Sequence, residues 1–458
     1  MTGHHAVADG TTSGVAGSIR WRAALVAVGL SLLGSCGGSA ASPTSSSSAT
    51  GTTCAVADEN SQIISIMQSW YYWYQSLPAS VSSTAYASPS ALLDAVRQQP
   101  LDRFSFITTQ AADQAYYAAG QYVGFGLGIV LTAANNLQLT QVFPGSPAAG
   151  AGLARGDTIT ALNGVAVPTL VAANQLDSVL SVSGAGTSLT AAWTSLDGQQ
   201  HSATMVSAVV TEPSVALVKA LSASGTSVGY ILFNSFITPS VAELDQAFAQ
   251  LAAQGVSDLV IDERYNGGGD LSVAQHLATL VAGSTYVGQQ LGTLTFNDKH
   301  ADQNQNVAFP AVSGGLGLKR VYFITTNATA SASEFIINAL APYLEVVVVG
   351  SATFGKPVGE NGFNVCADVL YPITFAIANA KGYAGYFDGL PPTCAATDDV
   401  GHALGDPEEA SLAAALDHVV TGSCGPGTAA AAREEAKREA AHPRSTRLYG
   451  FRQLVGAY

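Results

Sequence analysis

The sequence predicts a multi-domain α/β protein, with a small helical region first, a β-sandwich or barrel-like middle and an α/β core of βαβ units. Three observations point there. From Pro213 the apolar pattern alternates between short buried runs and helical runs, as in VGYILFNSF (228–236), the amphipathic stretch 240–253 and DLVID (258–262). Within Val321–Gly359, a strand (321–326), an apolar helix (about 333–343) and a second strand (345–349) follow one another, and a crossover of that length joins parallel neighbours with a right-handed connection. The composition, 48% hydrophobic and 11% charged over 458 residues, supplies core for two to four domains. A net charge of −14 argues against nucleic acid, since phosphate binding needs basic patches.

Residues 1–36 read as a targeting segment. Arg20 and Arg22 precede the apolar run 23–33, which is too short to span a bilayer and has the form of a signal h-region. The ending Leu33-Gly34-Ser35-Cys36 resembles a bacterial lipobox, which implies lipidation at Cys36 and, with Gly37 next, an anchor in the outer membrane facing the periplasm; a plain secretory peptide, with cell-surface or secreted product, is the alternative. Nineteen residues ahead of Arg20 are long for such a segment, so the true start could lie downstream. Residues 37–53 form a Ser/Thr/Gly-rich flexible tether.

A helical domain is expected over 54–119, from the aromatic run IISIMQSWYYWYQSLP and the periodic run ended by Pro100. Trp70, Tyr71, Trp73 and Tyr74 could border a ligand groove, but aromatics at helical spacing more often pack a core. Residues 120–212 resemble a PDZ domain. GFGLGIVL (124–131) has the form of a carboxylate-binding loop entering a strand, where Gly124, Phe125, Gly126, Leu127 and Gly128 would offer backbone N–H groups to a peptide's terminal carboxylate. The run 141–167, with its Gly156-Asp157 and Asn163-Gly164 turns, is the more specific part of that match. The core is expected over 213–425, closing with a helix that starts at Asp406-Pro407. An Ala-rich, then basic tail fills 426–458 and is expected to be frayed or helical.

The candidate chemistry sits in three segments of the core: ERYNGGGD (263–270), ATASASEF (328–335) and TFGKPVG (353–359). The parallel βαβ unit puts Ser331 and Lys356 at the carboxyl edge of the sheet, where open α/β folds build their sites. A serine opening a helix also meets free N–H groups and the positive end of the helix dipole, which suit a developing oxyanion. Together the segments closely resemble the carboxy-terminal processing (tail-specific) proteases, a family of Ser-Lys peptidases. The resemblance implies Ser331 as nucleophile, Lys356 as general base, Glu334 and Thr353 as matching flanks, and the amides of Gly268 and Ala332 as the oxyanion hole. It implies protein or peptide substrates with free carboxy termini, recognised or gated by the PDZ domain, and no cofactor. Glu263 stands where the family has leucine, Pro342 where an acid is frequent, and Glu360 where glutamine is usual; Glu360 is therefore expected to set the pH at which Lys356 works. Pro342 and Glu360 keep a second reading open, a non-catalytic protein that binds peptides or apolar ligands on a degenerate protease scaffold.

Other constellations carry less. His276 lies in an apolar helical pattern, and His300 and His402 have no motif around them, so no Ser-His-Asp triad is indicated. With no HExxH, CxxC or clustered acid/His pattern, no metal is implied. Asp262 could orient a base or pair with Arg264. In an exported protein Cys54, Cys366, Cys394 and Cys424 should form two disulfides. Three connectivities are possible; Cys366–Cys394 is favoured by proximity, with Cys54–Cys424 as a staple of the two ends.

Overall fold

The computed structural model describes residues 54–132, 134–182 and 184–425. The targeting segment, Cys36, the tether and the tail after Gly425 lie outside the described residues. Among the described residues, no helix is long and apolar enough to cross a membrane.

The carboxy-terminal half is built on a six-stranded sheet in the order Val215–Ala223, Thr226–Phe233, Asp258–Asp262, Arg320–Thr325, Glu345–Gly350, Cys394–Ala395. The first pair is antiparallel and every later pair is parallel. Parallel strands need both faces covered, and the uninterrupted burial of Asp258–Asp262 follows from that. On one face Leu259, Ile261 and Phe323 pack against Leu244 and Phe248 of the helix Ser240–Ala253, Leu277 of Leu271–Ala282, and Phe335 and Ile336 of Ala332–Leu340. On the other, Val260, Tyr322 and Val347 meet Leu412 and Ala415 of the helix Ala410–Thr421. The expected βαβ unit is thus present, with Arg320–Thr325 and Glu345–Gly350 as parallel neighbours joined by Ala332–Leu340. The last helix starts later than the Asp406-Pro407 signal suggests, because Glu409 provides its cap and accepts from the Leu412 N–H at 3.0 Å.

Two helices, Val56–Trp70 and Pro89–Val96, open the described chain. Ile63, Met67, Leu92 and Leu93 share one cluster with Phe354, Val358 and Ala330, so this region packs directly beside both candidate catalytic segments. Its aromatics divide: Tyr71 is fully buried, while Trp73 and Tyr74 line a cavity of about 470 Å³ together with Tyr72, Phe296 and Asp298. The middle of the chain forms a sheet ordered Leu127–Leu131, Leu137–Val142, Thr158–Leu162, Ser188–Thr194, Gln200–Val206, with Val165–Ala166 also paired to the third of these strands. Leu127–Leu131 is its edge strand and runs directly from the glycine-rich loop.

The disulfides are Cys54–Cys366 and Cys394–Cys424, which corrects the expected Cys366–Cys394 and Cys54–Cys424. Nearness in sequence misled, because Cys366 and Cys394 belong to different sheets. Cys366 occupies the turn of the hairpin Phe363–Val365/Asp368–Tyr371, which the first helix meets, with Trp70 and Phe363 rings 5.5 Å apart. Cys394 lies on the last strand of the central sheet, and the final helix, ending at the left-handed Gly422, returns Cys424 to it.

Candidate active site

The strand Arg320–Thr325 leaves the sheet at its carboxyl edge and turns at Ser331 into the helix Ala332–Leu340. Ser331 has φ 58° and ψ −115°, in the region that disfavours a side chain. Backbone strain of this kind survives only where the surroundings enforce it, and a sharp strand-to-helix turn is a known way to present a serine hydroxyl. Enforcement comes from the 263–269 loop. Thr329 Oγ1 donates to the Glu263 carbonyl (2.7 Å), Thr326 Oγ1 donates to the Arg264 carbonyl, and the Asn266 carbonyl accepts from the Ala330 N–H (3.1 Å) and Ser333 Oγ (2.9 Å).

Gly268 packs flat on this turn. A Cβ at Gly268, whose φ is 99°, would stand 2.7 Å from the Ala332 nitrogen and 2.8 Å from Ser331 Cβ, so glycine is required there. The nominated Gly268 and Ala332 amides are therefore neighbours beside Ser331. They differ in engagement. The Gly268 N–H donates to Asn266 Oδ1 at 2.9 Å, whereas the Ala332 N–H, first of the helix, has no acceptor among the described residues.

One carboxylate ties the serine turn to the lysine loop. Glu334 Oε2 accepts the Ser331 N–H (3.0 Å) and the Lys356 N–H (2.8 Å), and Oε1 accepts Thr353 Oγ1 (2.5 Å) and the Gly355 N–H (2.7 Å). Two amides sharing one acceptor oxygen lie no more than about 6 Å apart, so residues 25 positions apart in sequence are held together at their backbones. Burial raises the Glu334 pKa above the usual carboxylate range, and the bonds from Thr353, Lys356, Gly355 and Ser331 act against that rise. The lysine loop has a second clamp. The Arg103 guanidinium donates to the carbonyls of Phe354, Gly355 and Phe387 and lies between the rings of Phe104 and Phe354. Lys356 is only 3% exposed, and its Nζ stands 2.5 Å from Glu360 Oε1 and 5.6 Å from the centre of the Phe104 ring. Burial pushes the Glu360 carboxyl up to about 7, Lys356 pulls against that rise, and the negative charge of Asp102 adds to it.

Residues 227–385 match the family model described as peptidase family S41, and residues 58–106 match the S41 N-terminal domain. These two stretches, the core and the amino-terminal helices, are S41 peptidase domains. A carboxyl-terminal-processing protease of Picosynechococcus sp. is 29% identical over 252 residues, covering 54% of this chain and 57% of the relative. The chloroplastic C-terminal processing peptidase of Tetradesmus obliquus is 27% identical over 310 residues, 63% of each. The alignments thus span about three-fifths of the curated relatives' length. Among solved structures, one assigned to the S41 proteases of Bacteroides fragilis superposes with a TM-score of 0.64 at 28% identity, covering 79% of this chain and 97% of that one.

Elsewhere in the chain, the loop 124–128 is fixed by contacts within its own region. Its Phe125 carbonyl accepts from the Ala148 N–H and its Gly126 carbonyl from the Phe143 N–H, and a Cβ at Gly126 would collide with Ser146 at 2.1 Å. Asp262 pairs with Arg264 at 2.9 Å with both side chains fully buried. Arg264 also meets Glu409 at 2.7 Å and Asp398 at 3.0 Å. The histidines serve other contacts: His300 stacks on Trp70, His276 pairs with Asp245, and His402 pairs with Asp399. Two arginines were not singled out from sequence. Arg103 clamps the lysine loop, and Arg155 joins the middle region to the core through Asp398 (2.9 Å), Tyr265 Oη (2.6 Å) and the carbonyls of His402 and Asp399. The one available signal was scarcity: arginine occurs twelve times in the chain, and a basic residue inside DRFSF or LARGD is not needed for a turn or a strand.

Proposed function

We propose that this chain is a serine endopeptidase with a Ser-Lys dyad, cleaving proteins at or near their carboxy-terminal regions. The observation that carries the reading is the Glu334 carboxylate, which accepts the N–H of Ser331 and of Lys356 on one oxygen and so builds a site from two loops. In this reading the neutral amine of Lys356 takes the proton from Ser331 Oγ as that oxygen attacks the scissile carbonyl. The Ala332 N–H receives the developing oxyanion, joined by the Gly268 N–H once it leaves Asn266 Oδ1. The Lys356 ammonium then gives that proton to the leaving nitrogen, and water hydrolyses the acyl-enzyme. Hydrolysis of an unfolded protein with an apolar carboxy terminus should vanish in Ser331→Ala and in Lys356→Ala while both variants keep their folded circular dichroism. Full turnover in either folded variant sinks the dyad, whereas no turnover by the folded wild-type protein favours the binding-protein alternative.

The region 120–212 acts in this proposal as a PDZ domain that captures substrate tails. Support comes from the Leu127–Leu131 strand, which stands at a sheet edge where an extended peptide can add as a further strand, its terminal carboxylate reaching the amides of 124–128. The Arg155 contacts to Tyr265 and Asp398 give this region a rigid link to the loop that carries Gly268. With full-length Ser331→Ala protein, calorimetry should show tighter binding of a free-acid peptide than of its amidated twin. Equal affinities would remove the carboxylate role. The body is further proposed to be exported and anchored through a lipid on Cys36. Fatty-acid label should enter the wild-type protein and be absent from Cys36→Ser; label retained by the variant rules the anchor out.

Glu360 sets the working pH in the same proposal. Its ionised carboxylate, 2.5 Å from Lys356 Nζ, stabilises the ammonium form and so opposes the base. Because the carboxyl titrates at about 7, the opposition grows as pH rises through neutrality. Glu360→Gln removes it, and the acidic limb of kcat/KM is expected to move to lower pH by about one unit. The limb belongs to the coupled pair, so its direction is the test. A shift to higher pH, or none, means that Glu360 does not hold Lys356 back.

A further inference from the structure

Glu263 is a carboxyl that the mechanism above does not use. It is fully buried, and neither of its carboxylate oxygens has a hydrogen-bond partner among the described residues. Its N–H continues the parallel ladder by donating to the Ile324 carbonyl at 3.0 Å, so side chains alternate up to this point. Asp262 and Arg264 therefore face one side of the sheet and Glu263 the other, the side of Leu259, Ile261 and the three packed helices. The charged and titratable groups on those helices are occupied elsewhere: Glu243 with Ser214 and the Val215 N–H, Asp245 with His276, and Glu334 with the serine and lysine loops. Arg264 is turned into Asp262, Asp398 and Glu409. No cation therefore balances a charge on Glu263 among the described residues, and the one charge that acts on it, Asp262, is negative.

A carboxyl in such surroundings is stable only with its proton on. Burial first, and Asp262 second, raise its pKa well above the usual carboxylate range. Its own backbone opens the 263–269 loop: the Glu263 carbonyl accepts from Thr329 Oγ1 and from the Asn266 N–H, and the loop then carries Gly268 onto Ser331. We propose that Glu263 is a positioning residue that works only as a neutral acid, seating the 263–269 loop against the serine turn while protonated and releasing it when ionised. Ionisation forces the side chain out of the apolar layer toward water, and the loop that begins at its own carbonyl moves with it. The consequence for catalysis rests on the Ser-Lys reading; the consequence for stability does not.

For a group whose folded pKa lies above its unfolded one, the stabilisation is complete below the unfolded value and is lost as pH rises through the folded value. The test uses full-length protein. Tm is followed from about pH 6 to about pH 10 in wild type and Glu263→Gln, along with the rate of labelling by a serine-reactive probe. The wild-type Tm is expected to fall relative to the variant as pH rises. Labelling of the wild type is expected to be lost toward the alkaline end of this range, while Glu263→Gln, which has no carboxyl to ionise there, keeps its labelling. If Glu263→Gln does not fold, Glu263→Leu, which is apolar and cannot titrate, takes its place. A Tm difference that stays constant across the range overturns the proposal, and so does labelling that follows pH alike in the two proteins. Absence of labelling in both proteins, with the Tm divergence intact, leaves Glu263 as a proton-dependent anchor of the loop and counts against the Ser-Lys reading instead.

Discussion

The candidate site depends on the carboxylate of Glu334. Four donors from two separate loops converge on it, and it is completely buried. A buried charge in such a place is tolerated because its lone pairs are satisfied, and removing the acceptor would leave several buried donors unpaired at once. Its position is set by helix geometry. As the third residue of the helix that Ser331 caps, Glu334 reaches back to the Ser331 N–H, as the acid of a capping box does, and its remaining capacity extends sideways to residues 353–356. A local capping device thereby fixes a non-local distance.

Around that joint the molecule stacks its supports by sequence distance. The 263–269 loop holds the serine turn from the sheet side, and the amino-terminal helices hold the lysine loop from outside through Arg103, Phe104 and the shared cluster with Phe354. The middle region reaches the same loop system through Arg155 and Tyr265. Three stretches of chain thus converge on one sheet edge, and the strained φ of Ser331 is the local sign of how tightly that edge is determined.

What was legible in the sequence was whatever is encoded locally. The βαβ order, the parallel pairing and the strand Asp258–Asp262 follow from periodicity and crossover length, and the segments bearing Ser331 and Lys356 are short enough to read as written. Contacts made across more than a hundred residues were not legible. Arg103 to Gly355, Arg155 to Asp398 and Arg264 to Glu409 depend on how elements stack, which no local pattern states. The cysteines show the same limit. Pairing by proximity failed because Cys366 and Cys394, close in sequence, end on different sheets, while Cys54 meets Cys366 only after the first helix has packed on the hairpin. Glu263 and Glu360 stood out in the sequence as departures, yet their surroundings, one carboxyl without partners and one against an ammonium, belong to the folded chain.

The bridge from Cys54 to Cys366 closes a ring of covalent chain around most of the described protein, 312 positions in extent. A peptide bond cut in any surface loop within that ring opens it without dividing it. The two fragments would remain one molecule, and for a cut ahead of Ser331 the serine and lysine loops stay together on the fragment that holds Cys366, with the first helix still tethered to it. For a chain proposed to hydrolyse polypeptides, and so exposed to its own kind, damage of that sort would be survivable as long as the surroundings stay oxidising.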